Sequence, residues 1–303
     1  MADWRRALRR GRRRVLFLAA RTLVRCCSFA GTRRLGAALG AMQYRFGGKD
    51  RRRCLRDLAL LQNRAPGDPL VVRQLQQAYR FHAVAVFEVV AMLDRKLDAE
   101  RLREVCRIDG LSELEAARGG GAILLATHSG NTLLAAAQLA GAGWPVTIVY
   151  RQSRMMSADL FARGLPRYGV EGILANQAVR AYANMLRALR QNRILFVMID
   201  QGVKSAKDGL PMRFLGKDMP MPAGPAHLAR RTGAPILPLV TVAAEPVWHF
   251  VIGPPVPWTP HGTVEGDTEN LLRVIERQVL ERPQLWSWQY RRWRKFPLAA
   301  PSP

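Results

Sequence analysis

From residue 122 onward, short apolar runs alternate with stretches of helical periodicity, and this alternation constrains the fold more than any other feature of the chain. Strands are expected at about 122–127, 146–150, 194–199, 235–241 and 248–252, with helical patterns between them at about 131–141, 155–168, 178–192 and 222–232. Elements that alternate in this way form an α/β fold with a mixed, largely parallel sheet covered by helices on both faces. Upstream, helical patterns at about 5–30, 32–46, 50–62 and 70–93 lead into the sheet. The chain has 303 residues, and no linker rich in Gly, Ser and Pro divides it. Residues 31–303 are therefore expected to form a single α/β domain behind an N-terminal membrane-associated segment, residues 1–30.

In such a sheet, reactive groups gather beyond the carboxyl ends of the strands. His128, Arg151 and Asp200 each follow an expected strand, so three separate positions point to one crevice. A histidine on a rigid strand end can take a proton from a hydroxyl if a partner orients its ring; otherwise it caps a helix or satisfies a turn. Arg151 has the planar fork that binds phosphate in two-pronged fashion, or it is a plain strand-end residue. Asn131 orients the turn or a carbonyl, or N-caps the helix that follows, while Asp200 is either an acid of the site or a turn former. Arg163, Arg167 and Arg213 are further phosphate candidates, although in a chain so rich in arginine a solvated role is preferred for any one of them. His82 lies among Leu75, Tyr79, Val86 and Val89 at helical spacing and reads as a core-edge histidine. His227, His249 and His261 have no partner spacing.

Six blocks in order extend this reading. Thr127-His128-Ser-Gly130-Asn131-Thr-Leu133 resembles the His-x-Gly-Asn-Trp-Glu block of the lysophospholipid acyltransferase superfamily, in the branch of the late lipid A (lauroyl and myristoyl) acyltransferases. Val149-Tyr-Arg151, Ile199-Asp200-Gln201-Gly202 and Met212-Arg-Phe214-Leu-Gly216 are similar to its next three blocks. Pro222-Ala-Gly224 through Pro235, and Pro283-Gln-Leu-Trp286-Ser-Trp288-Gln-Tyr290-Arg-Arg-Trp293, are similar to its last two. The resemblance implies an acyltransferase whose base is His128 and whose candidate substrate contacts are Asn131, Arg151, Asp200 and Gln201. It further implies transfer of a fatty acyl chain from an acyl-carrier-protein or coenzyme A thioester to a hydroxyl of a lipid A precursor or related lysolipid. No cofactor or metal is implied.

One position departs from the pattern. The family's acid stands five residues after the histidine, where this chain has Leu133. Leucine can neither fix the imidazole's tautomer nor stabilise the imidazolium, and loss of the orienting acid costs about ten-thousand-fold in the best-studied triads. Either another acid substitutes, with Asp200 the nearest by motif logic, or the chain is a non-catalytic relative that keeps the lipid cleft for binding. No Asp or Glu lies between Glu115 and Asp159.

The net charge of +24 calls for an anionic partner or surface. Seven arginines between Arg5 and Arg14 precede an apolar run that Arg21 and Arg25 interrupt before it reaches spanning length. That pattern fits a helix lying in the bilayer surface with its arginines on anionic headgroups better than it fits a signal peptide. Nucleic acid is disfavoured, because no recognised nucleic-acid-binding signature accompanies the charge. The terminal tryptophans are expected at headgroup level beside their arginines. The expected location is the cytoplasmic face of a bacterial inner membrane. Cys26, Cys27, Cys54 and Cys106 match no zinc spacing and read as reduced packing residues.

Overall fold

A strand covered on both faces must be apolar at every position, and β2 (Ala122–Ala126) and β5 (Ile194–Met198) are so throughout. Ala122, Leu124, Ala126, Ile194 and Phe196 enter one apolar core, whereas Ile123, Leu125, Leu195 and Val197 enter a second. The period-two alternation of a strand therefore splits each sequence run between two layers of helices. The computed structural model describes residues 18, 19, 21–94, 97–151, 158–203, 208–258 and 261–290.

In chain order the helices are α1 (Phe29–Phe46), α2 (Gly48–Leu61), α3 (Pro69–Asp94), α4 (Ala99–Val105), α5 (Leu111–Ala116), α6 (Thr132–Gly141), α7 (Ala158–Gly164), α8 (Ala178–Arg190), α9 (Gly224–Thr232) and α10 (Val264–Glu281). The remaining strands are β1 (Cys106–Asp109), β3 (Val146–Tyr150), β4 (Glu171–Leu174), β6 (Leu210–Phe214), β7 (Lys217–Met221), β8 (Ile236–Ala243) and β9 (Trp248–Ile252). The seven-stranded sheet has the order β1-β9-β8-β2-β5-β3-β4, and β6 and β7 form a separate hairpin. Neighbours in the large sheet run parallel apart from β8 and β9, so the sheet is mixed and largely parallel.

The five expected strands and the helices between them are present, and the additions have local causes. β1 and β4 are four-residue edge strands with polar residues, too short to show an alternation. β6 and β7 carry Pro211 and Pro220 facing each other, and proline argues against a strand unless it lies at an edge, as it does in a two-stranded ribbon. Their connection uses Leu215 and Gly216, both at positive φ, as a tight hairpin turn requires. α10 lies beyond the expected elements although its signals are ordinary ones: Thr263 accepts from Gly266 N at 3.1 Å as its N-cap, and Leu271, Leu272, Ile275 and Val279 are its buried stripe.

At the N-terminal end, most of the expected anchor lies outside the described residues. Residues 21–26 are helical, the chain breaks at Cys27 and Ser28, and Ser28 Oγ caps α1 by accepting from Gly31 N at 3.0 Å. The boundary expected at residue 30 therefore falls inside α1, with Val24 and Phe29 already buried in the domain core. Arg21, read as a headgroup ligand, is instead spent within the protein, its Nε donating to Asp94 Oδ2 at 2.6 Å. Among the described residues, no helix is long and apolar enough to cross a membrane.

α1 lies against α3 because Gly36 and Gly40, one turn apart, let the backbones meet. A Cβ at residue 36 would stand 2.9 Å from Val84 Cα, and one at residue 40 would stand 2.5 Å from Tyr79 O. The first half of α3, through Val71, Leu75 and Tyr79, packs in one core; the second half, from Phe81 to Leu93, packs in the other. This helix thus passes from one face of the sheet to the other. Gly40→Ala should force the two helices apart and cost on the order of 1–3 kcal/mol, read as a lower denaturation midpoint. An unchanged midpoint would show that the helices do not meet there.

Candidate active site

β2 and β5 are adjacent parallel strands whose register pairs Ala126 with Met198. Continuing both chains by two residues brings His128 opposite Asp200, although they are 72 residues apart in sequence. His128 Nδ1 lies 2.6 Å from Asp200 Oδ1, and the His128 backbone N–H donates to Asp200 Oδ2 at 3.0 Å. Trp286 Nε1 donates to that same Oδ2 at 2.8 Å. Asp200 is fully buried, while the His128 ring is 28% exposed and opens toward solvent. A carboxylate on Nδ1 holds the proton there and leaves the Nε2 lone pair free to act as acceptor. The Gln201 side-chain nitrogen stands 3.2 Å from that Nε2 and donates to it.

The backbone carrying His128 is tied residue by residue. Ser287 N donates to His128 O at 3.0 Å, and Thr241 Oγ1 donates to Ser129 O at 2.8 Å. Gly130 has φ of +69°, and a Cβ there would lie 2.6 Å from the Trp248 ring, so the position needs glycine on both counts. Tyr290 packs edge-on against His128, ring centroids 5.1 Å apart, and against His82 at 5.6 Å. His82 Nδ1 lies 2.8 Å from Ser287 Oγ, so this half-buried histidine supports the terminal segment at the cleft wall.

Several sequence expectations change here. Asn131 occupies the N-cap position of α6 without a side-chain cap bond; it is buried, and its amide is directed behind the turn, donating to Glu88 Oε2 at 3.1 Å. Asp200, grouped among the substrate contacts, faces the imidazole. Trp286 and Trp288 are fully buried in the core and not at a headgroup surface; the indole N–H of Trp286 is needed by the Asp200 carboxylate. Trp293 lies outside the described residues. Arg151 is exposed at the end of β3, which sits on the far side of β5 from β2. Two strand spacings, about 10 Å, thus separate it from β2, whose chain continues to His128. Arg167 Nη1 donates to Leu93 O at 3.1 Å, and Arg163 and Arg213 are exposed. His249 Nε2 lies 2.7 Å from Asp109 Oδ2 on the β1–β9 side of the sheet. Among the described residues, no cluster of His, Cys, Asp and Glu side chains is arranged to hold a metal ion. Cys54 and Cys106 are buried, Cys26 is exposed and none of the four cysteines is in a disulfide.

The chain matches the family model of the bacterial lipid A biosynthesis acyltransferases over residues 4–295, almost its whole length. The chain belongs to that family. A phosphatidylinositol mannoside acyltransferase of Mycobacterium tuberculosis (strain CDC 1551 / Oshkosh) is 30% identical over 232 residues, covering 75% of this chain and 71% of the relative. A protein of the same name from Mycolicibacterium smegmatis is 28% identical over 245 residues, covering 78% of each. This member of the lipid A biosynthesis acyltransferase family is thus an acyltransferase acting on lipid substrates. The carboxylate that this acyltransferase lacks at residue 133 is met at the imidazole by Asp200, from the neighbouring strand.

Leu133 is 6% exposed and lies in the first apolar core. Leu133→Glu should place an unpartnered carboxylate there, lower stability by a few kcal/mol and leave acyl transfer no faster than in the parent. Faster transfer with undiminished stability, measured with a labelled thioester donor and by denaturation, would show instead that residue 133 addresses the imidazole.

Proposed function

We propose that the protein moves a fatty acyl chain from an acyl-carrier-protein or coenzyme A thioester to a hydroxyl of a lipid A precursor or a related phosphoglycolipid or lysolipid. The observation that carries this reading is the 2.6 Å contact between His128 Nδ1 and Asp200 Oδ1 at a half-open imidazole. The names of the relatives favour a sugar-bearing phospholipid as acceptor without fixing which one.

In this mechanism Asp200 holds His128 with its proton on Nδ1, so Nε2 takes the proton of the acceptor hydroxyl as the oxygen attacks the thioester carbonyl. A tetrahedral intermediate forms. It collapses with cleavage of the carbon–sulfur bond, and the imidazolium returns its proton to the departing thiolate. Gln201 occupies the acceptor's place at Nε2 before substrate arrives; displaced, its amide can donate to the carbonyl oxygen as negative charge builds there. Arg151 serves a phosphate on either substrate.

His128→Ala should abolish transfer. Asp200→Asn should keep the fold and lower kcat roughly a thousandfold or more, because an amide can leave the ring in the wrong tautomer. Transfer of labelled acyl groups to lysolipid and lipid A precursor acceptors reads both, and wild-type turnover in His128→Ala would sink the reading.

Residence on the cytoplasmic face of an inner membrane belongs to the same proposal and is supported by the arginine-rich start of the chain. The protein should pellet with anionic liposomes far more than with neutral ones, and less as salt is raised. Removing residues 1–17, which leaves Val24 and Phe29 in place, should weaken that binding. Salt-insensitive binding equal on both liposomes would contradict it.

A further inference from the structure

Behind the turn that carries His128 lies a second carboxylate, Glu88 of α3, with no exposed surface. Its Oε2 accepts from Asn131 Nδ2 at 3.1 Å and from Trp248 Nε1 at 2.6 Å, and its Oε1 faces Arg33 Nε at 3.3 Å. These groups come from three places, the catalytic turn, β9 and α1, and Arg33 Nη2 in turn donates to the carbonyl of Ala244 after β8 at 3.0 Å. An acid in this position costs several kcal/mol to bury unless it is paired, and a well-packed apolar residue would often serve stability as well. Stability is therefore a poor reason for its presence, and what it touches suggests a better one.

Asn131 and the Trp248 ring bracket Gly130. The indole lies under the glycine, and both the indole N–H and the asparagine amide end on the same oxygen of Glu88. His128 is held at its own residue by Asp200 and Ser287, and Ser129 by Thr241, so the far end of the turn has Glu88 as its anchor. If that end moves, the imidazole pivots about Asp200 and Nε2 is no longer aimed at one place.

We infer that Glu88 is a positioning residue of the acyl-transfer site, acting through Asn131 to fix the turn on which the His128 base stands. It does not touch substrate. Burial pushes its carboxyl up to about 7, with Arg33, Asn131 and Trp248 pulling against that. The inference rests on the assignment of His128 as base.

Glu88→Gln preserves shape but turns an N–H group toward one of the donors, and Asn131→Ala cuts the same contact from the turn side while leaving Trp248 and Arg33 in place. Each should lower kcat by roughly ten- to a hundredfold, as misplacement of a reacting group does, with KM for the thioester within about twofold. The double variant should lose no more than the worse single one, because both remove one coupling. The low-field proton resonance of the His128–Asp200 bond, assigned by its loss in Asp200→Asn, should shift or broaden in both variants at unchanged circular dichroism. If Glu88→Gln does not fold, Asn131→Ala carries the test. Wild-type kcat in Asn131→Ala, a loss confined to KM, an unaltered resonance, or additive losses would each overturn the inference. Activity surviving in His128→Ala would instead overturn the assignment of the base. An inactive His128→Ala beside fully active Glu88→Gln and Asn131→Ala would defeat this inference and leave that assignment standing.

Discussion

Taking a carboxylate out of water costs several kcal/mol unless other donors replace the water it loses. Asp200 has no exposed surface, and it recovers that loss from the backbone N–H and ring Nδ1–H of His128 and from the indole of Trp286. These donors belong to the turn after β2 and to the segment after α10. One buried charge thus joins three parts of the chain, and the requirement that it be satisfied dictates where each must lie. The same bonds give the imidazole its orientation, so the constraint that organises the fold at this end of the sheet also prepares the proposed base.

The arrangement depends in turn on strand register. Because side chains alternate between faces, a one-residue slip between β2 and β5 would exchange the two apolar cores and carry Asp200 away from the imidazole. Leu125 beside Val197, and Leu124 beside Phe196, hold the pairing by burial. Precision at the site is therefore inherited from apolar residues that take no part in chemistry.

Much of this was legible before the structure. The strand–helix alternation specified the sheet, and the placement of His128 and Asp200 just after two apolar runs brought them to one crevice. What periodicity could not supply was strand order: nothing local in Ala122–Ala126 says that its neighbour is Ile194–Met198 and not Val146–Tyr150. That distinction separates a direct partner, Asp200, from a distant one, Arg151. The terminal tryptophans misled for a related reason. Their spacing beside arginines is equally that of an interfacial belt and of a buried segment, and the need of a distant carboxylate for an indole N–H leaves no mark on the sequence. Asn131 was legible as a turn residue, whereas its partner Glu88, 43 residues earlier on α3, was not.

The order in which the parts of the Asp200 pocket occur along the chain has a consequence for synthesis. The imidazole stands at residue 128, the carboxylate at 200, and the indole that completes its shell at 286. As the polypeptide leaves the ribosome, the sheet can gather the first two long before the third exists, so for much of translation the acid is sheltered by an incomplete set of donors. Chains cut short before residue 286 would carry the sheet with an unsettled carboxylate at its end, and maturation of the pocket waits until that residue has emerged.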